Sequence, residues 1–195
     1  MPKFRVPVED YKFLFKHVFD MEANYKSLDC ADDFSVDILE AILEEAAKFS
    51  ENELAPLYQS GDEEGCSLKD GVVTTPSGFK EAYTKFIEGG WTSLTGEPDL
   101  GGQGLPSSVS LAVNEMLTTA NWAWAMYPGL SEGAVATLES HGTDQQKKDY
   151  LPKLIDGKWS GTMCLTEPHC GIYLGQLKTN EKPNENARFS VNGTK

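Results

Sequence analysis

The apolar residues of this chain keep a spacing of three and four positions as far as Asp156-Gly157 and then abandon it. That change constrains the fold more than any single motif. A spacing of three and four lays one apolar stripe along a helix, whereas strands need alternation or short apolar runs. Residues 8–20 place Tyr11, Leu14, Phe15, Val18 and Phe19 on one such stripe. Residues 35–58 carry the strongest helical signal: Val36, Leu39, Ile42, Leu43, Ala46, Ala47, Phe49 and Leu54, with Asp33 or Ser35 as cap and Pro56 at a ragged end. Gln59–Gly71 reads as a polar loop and Val72–Thr74 as a short strand. Pro76–Glu88 is helical again and stops at Gly89-Gly90. A long Gly-bearing loop, Trp91–Pro106, leads to helices expected at Ser107–Trp122 (capped by Ser107 or Ser108), Ser131–Ser140 and Thr143–Ile155. Beyond Gly157, Trp159–Thr166 and Phe189–Val191 read as strands. The expectation is a helical domain of about 155 residues followed by the opening of a β-rich one.

The last residues sharpen that expectation. Asn192-Gly193 after an apolar strand is a strong hairpin signal, yet only Thr194 and Lys195 follow it. Some 35–40 residues of this kind neither close a sheet nor bury much surface, so the chain reads as the front part of a longer protein.

Charge removes several functions. Thirty acidic against seventeen basic residues leave −13, and the first hundred residues carry twenty-one of the acids. Without a basic cluster larger than Lys147-Lys148, no nucleic-acid partner is expected. No stretch approaches the ~20 apolar residues of a membrane helix, and the opening Met1–Arg5 lacks the apolar core expected of a signal peptide. Cys30, Cys66, Cys164 and Cys170 form no dense framework and suit reduced thiols of a cytoplasmic protein.

Blind candidates for chemistry are few. Gly101-Gly102-Gln103-Gly104 could cradle a phosphate, but without a preceding strand a tight structural turn is the stronger reading. Trp122, Trp124 and Tyr127 could stack a planar ring, though such a cluster is more often core. His17 and His141 read as caps or surface residues. Cys164 and Cys170 with the adjacent His169 do not match a structural zinc spacing, and no metal is expected. Gly161–Gly171 rises above these. It reads as a strand entering a sharp turn, where in-line backbone groups and a Thr hydroxyl suit the edge of a flat heteroaromatic ring, such as a flavin pyrimidine.

Here the sequence resembles a family. Met163-Cys164-Leu165-Thr166-Glu167-Pro168-x-x-Gly171 is similar to the flavin-contacting signature of acyl-CoA dehydrogenases. The resemblance extends through Gly101–Pro106, Tyr150–Leu154, Trp159–Thr162, the extension Val8–Asp20 and Asn192–Lys195, and is nearest to the branch acting on 3-methylmercaptopropionyl-CoA. It implies a mainly α fold class: an extension over residues 1–34, an acyl-CoA dehydrogenase N-terminal helical domain over 35–157, and a truncated middle β-domain over 158–195. It implies FAD as cofactor, an acyl-CoA thioester desaturated between Cα and Cβ as substrate, an electron-transfer flavoprotein as electron acceptor, and a homo-oligomer.

By the same resemblance Met163, Cys164, Leu165 and Thr166 line the flavin, Gly171 admits close approach, and Ile172 lies toward the substrate. The family's catalytic glutamate falls beyond Lys195, and Glu167 belongs to the turn rather than to the base. Two positions depart from the pattern: Ile172-Tyr173 stand where the family has Ser/Thr-Asp, which removes a hydrogen-bonding side chain and a small acid. The alternatives from other classes are a non-catalytic helical module for interaction or oligomerisation, and an inert fragment.

Overall fold

The computed structural model describes residues 3–28, 35–185 and 188–195. It divides into two compact units, Met1–Gly161 and Thr162–Lys195.

The first unit is helical. Its helices are α1 (Val8–Phe13), α2 (Met21–Tyr25), α3 (Val36–Phe49), α4 (Leu57–Glu64), α5 (Phe79–Glu88), α6 (Ser107–Ala120), α7 (Trp122–His141) and α8 (Asp144–Ile155). Ser35 caps α3, its hydroxyl accepting from the Ile38 N–H at 3.3 Å. The other cap considered, Asp33, and Cys30 lie outside the described residues. Thr143 and Gln146 close a reciprocal capping box on α8.

Leu39, Leu43, Ala46 and Ala47 of α3 meet Val109, Val113, Met116 and Leu117 of α6 in one buried core. Aromatic rings fill its end. Phe49 lies 6.0 Å from Phe86 and 6.2 Å from Trp124, and Phe86 meets Trp124 edge-on at 5.3 Å. The extension is tied down by polar contacts: Lys12 pairs with Glu44 at 2.6 Å, the Val6 N–H donates to Glu51 at 2.9 Å, and Tyr25 shares a hydrogen bond with Ser108 at 2.8 Å.

Several local expectations are corrected. The stripe of residues 8–20 is α1 followed by a π-turn at Leu14–Val18, and α3 likewise ends in a π-turn at Ser50–Leu54. Pro56 precedes α4 instead of ending a helix, so Gln59–Glu64 is helical where a loop was expected. Ser67–Lys69 (β1) then pairs antiparallel with the expected Val72–Thr74 (β2). Neither Ser107 nor Ser108 caps α6, because Pro106 holds the position before it. α7 begins nine residues earlier than Ser131 and runs through Pro128, whose ring is buried in the helix packing.

Among the described residues, the second unit holds one antiparallel strand pair, β3 (Asn180–Pro183) with β4 (Phe189–Asn192). The strand expected at Phe189–Val191 is therefore present, but its partner lies before it. Asn192-Gly193 ends the ladder and is not a hairpin turn. Trp159–Thr166 is not a strand: a strand exists through its ladder partner, and β3 and β4 take each other. No helix among the described residues is long and apolar enough to cross a membrane.

Candidate functional site

The Gly-rich loop resolves first. The N–H groups of Gly101, Gly102, Gln103 and Gly104 donate to the carbonyls of Pro98, Glu97, Ser93 and Gly96 at 2.8–3.0 Å. A Cβ on Gly102 would lie 1.9 Å from the Gly96 carbonyl oxygen. These donors are spent inside the loop, so the segment is a structural turn and not a phosphate cradle. The aromatic trio is divided. Trp124 is 3% exposed and donates its indole N–H to the Phe79 carbonyl at 3.1 Å, whereas Trp122 and Tyr127 are 61% and 51% exposed.

In the helical unit a cavity of about 230 Å³ has walls that include Tyr83, Trp91, Thr95, Glu132 and Glu139. Asn114 donates to Glu132 at 2.8 Å, and burial raises the Glu132 pKa above the ordinary carboxylate value. Burial and the nearby negative charge of Glu97 raise that of Glu139, whose Oε1 is buried with no hydrogen-bond partner among the described residues. Sequence reasoning missed both acids. Their separation of seven residues, two turns on one face of α7, is the signal that pairs them.

In the second unit the structure builds a turn around Glu167. The Glu167 and Gly171 backbones exchange hydrogen bonds at 2.9 and 3.0 Å, and Gly171 closes the loop at φ +58°. The Glu167 carboxylate, 2% exposed, accepts from the Lys178 N–H at 2.8 Å and the Thr179 N–H at 3.0 Å, and pairs with the Lys195 ammonium at 3.0 Å. Those donors hold it ionised, with its pKa well below the usual carboxylate range. A carboxylate so engaged is an anchor, in keeping with its reading as part of the turn.

Just before this turn stand Met163, Cys164, Leu165 and Thr166, outside any strand, with Met163 69% exposed. Among the described residues, nothing accepts a hydrogen bond from the backbone N–H groups of these four positions. The Leu165 carbonyl accepts from Lys195 at 3.3 Å. Just after the turn, Ile172 is 72% exposed, and Tyr173 is exposed beside it. Thus the unit presents Met163–Thr166, Gly171 and Ile172 on either side of a loop fixed by Glu167. His169, Cys170 and Glu167 bring one ligand-type atom each to within 4.8 Å of one another. Cys66, Cys164 and Cys170 are free thiols.

Comparison with known proteins gives this geometry a context. Residues 37–158 match the family model described as the acyl-CoA dehydrogenase N-terminal domain. The chain is 37% identical over 192 residues to the 3-methylmercaptopropionyl-CoA dehydrogenase of Ruegeria pomeroyi, covering 98% of this chain and 32% of that protein. It superposes on butyryl-CoA dehydrogenase from Megasphaera elsdenii with a TM-score of 0.68 at 25% identity, over 83% of this chain and 40% of the other. Acyl-CoA dehydrogenase from Bacillus anthracis, solved in complex with FAD, gives a TM-score of 0.65 at 25% identity, over 83% and 26%. The chain spans about a third of the length of the curated relatives it matches.

Proposed function

The chain belongs to the acyl-CoA dehydrogenase family, and from that premise we propose that it is the N-terminal part of an FAD-dependent enzyme that desaturates an acyl-CoA thioester between Cα and Cβ. One observation carries the cofactor assignment to this chain: the N–H groups of Met163–Thr166 are unspent beside a loop that Glu167 holds in place. A flavin ring edge alternates donors and acceptors, and an exposed strip of backbone groups with the Thr166 hydroxyl is the donor–acceptor set it needs. In this reading Met163, Cys164, Leu165 and Thr166 hold the flavin, Gly171 gives it room, and Ile172 faces the substrate. When bound, FAD supplies the two-electron acceptor for the β-hydride.

The chain's own residues position and do not abstract. Glu167 has both oxygens engaged by N–H donors and an ammonium, so it does not serve as the base that removes the α-proton; the family resemblance assigns that role to a glutamate beyond Lys195. The reoxidising partner is an electron-transfer flavoprotein, and the working assembly is a homo-oligomer. Ile172 and Tyr173 bring no carboxylate and no small hydroxyl to the site, which weakens polar contact there relative to the family pattern.

FAD titration of the purified chain, followed by flavin absorbance and calorimetry, tests the reading. Saturable binding at one FAD per chain is expected, weakened roughly tenfold by Thr166→Val, the equivalent of one lost hydrogen bond. No saturable binding to a chain whose circular dichroism shows it folded would overturn the cofactor assignment and leave a non-catalytic helical module.

A further inference from the structure

We propose that Glu167, His169 and Cys170 form a binding site for one borderline divalent cation, zinc by preference. The spacing of the cysteines does not reveal it, because the third ligand is a carboxylate and Cys164 takes no part.

Three features of the turn converge. The ligand set is a carboxylate, an imidazole and a thiol, the mixture that zinc accepts and that magnesium and calcium do not. Its atoms lie within 4.8 Å of one another, with His169 Nε2 3.7 Å from Glu167 Oε2. Tetrahedral zinc with N, O and S ligands has edges of about 3.3–3.8 Å, so small side-chain rotations close the site. The backbone then fixes the spacing. Ligands at i and i+3 converge across a loop closed by the paired Glu167 and Gly171 groups, with glycine at positive φ directly after the last ligand. This is the loop geometry by which short metal knuckles bring two ligands together.

Outer contacts already orient the carboxylate. The Lys178 and Thr179 N–H groups orient the Glu167 carboxylate, and coordination through His169 Nε2 exchanges that nitrogen's 2.9 Å contact with the Gln176 carbonyl for the metal. The position also tolerates positive charge. Lys195 places its ammonium 3.0 Å from Glu167 Oε1, and a dication at the turn competes with it. On binding, the Cys170 thiol gives its proton to solvent and coordinates as thiolate, leaving the fourth position to water. The site shares Glu167 with the turn that flanks Met163–Thr166, but its test reads the metal and does not depend on flavin binding.

Cobalt(II) titration of the full 195-residue chain decides the matter, since a cobalt–thiolate bond absorbs in the near ultraviolet. One equivalent is expected to develop that band and zinc to displace it. Cys170→Ser should abolish the band, and His169→Gln should weaken cobalt binding by at least roughly tenfold. Lys195→Met should tighten it. A variant lacking Cys30, Cys66 and Cys164 should bind as the parent does. Absence of the band at stoichiometric cobalt, its survival in Cys170→Ser, or its loss from the variant keeping only Cys170 would each overturn the proposal. Glu167 is not used as the test because its substitution also releases Lys178 and Thr179.

Discussion

Asn121 is the joint on which the helical unit turns from α6 into α7, and its two polar atoms do separate work. It is 1% exposed. Its Oδ1 accepts from the Trp124 N–H at 3.1 Å, capping α7, while its Nδ2 donates to the Leu54 carbonyl at 3.3 Å, across to the π-turn after α3. Losing the cap costs about 1 kcal/mol, and stripping a buried carbonyl of its donor costs about 1–3 kcal/mol. Asn121→Ala should therefore lose about 2–4 kcal/mol, or roughly 5–15 °C in Tm for a unit of this size. Asn121→Ser keeps a capping oxygen but cannot reach Leu54, and should lose only the second part. Urea and thermal unfolding followed by far-ultraviolet circular dichroism give both values. Equal losses in the two variants would refute the separation of cap from carbonyl. A loss below about 0.5 kcal/mol in Asn121→Ala would refute the claim that this buried pairing stabilises the joint.

Two further predictions concern ionisation. Burial raises the Glu139 pKa, so its destabilising effect is absent below the unfolded value of 4.5 and grows as pH rises through the higher folded value; Glu139→Gln should flatten that decline in stability and raise Tm at neutral pH. The Glu167 pKa is depressed, so its stabilisation is present above 4.5 and lost as pH falls toward the folded value; Glu167→Gln should speed amide exchange at Lys178 and Thr179 at neutral pH, and unchanged protection there would refute the anchor.

The sequence made the helical architecture legible because burying α3 and α6 requires apolar residues at helical intervals, and those intervals are visible without coordinates. Ser35 was readable as a cap for the same local reason. Proline misled at Pro56. There the residue type signals a break, while the structure uses it before the first turn of α4. Strands were legible only where a partner lay nearby. Val72–Thr74 has β1 two residues away, and Phe189–Val191 has β3, but Trp159–Thr166 has apolar content without a ladder. The resemblance singled out Met163–Thr166 and Gly171 from their order alone. It could not show what Glu167 does, because that role depends on Lys178, Thr179 and Lys195, which no local pattern connects to it.

The two units are held by different physics, and that difference bears on how the turn around Glu167 exposes its flanks. In Met1–Gly161 the organising term is apolar burial: Leu39, Leu43, Phe86, Val113 and Trp124 lock the helices whatever the charge state of the surface. In Thr162–Lys195, Glu167 is the one residue among those described that is fully buried, and a two-stranded hairpin alone is marginal in water. Order there rests on a carboxylate that gathers two backbone N–H groups and an ammonium, so the turn is polar at its centre. A polar anchor leaves the apolar side chains Met163 and Ile172 unspent and outward, whereas an apolar anchor would have drawn them inward. The same carboxylate that folds the turn thereby keeps both flanks of it exposed, which the proposed flavin contact needs, and its substitution should disturb the order of Met163–Thr166 without touching the helical core.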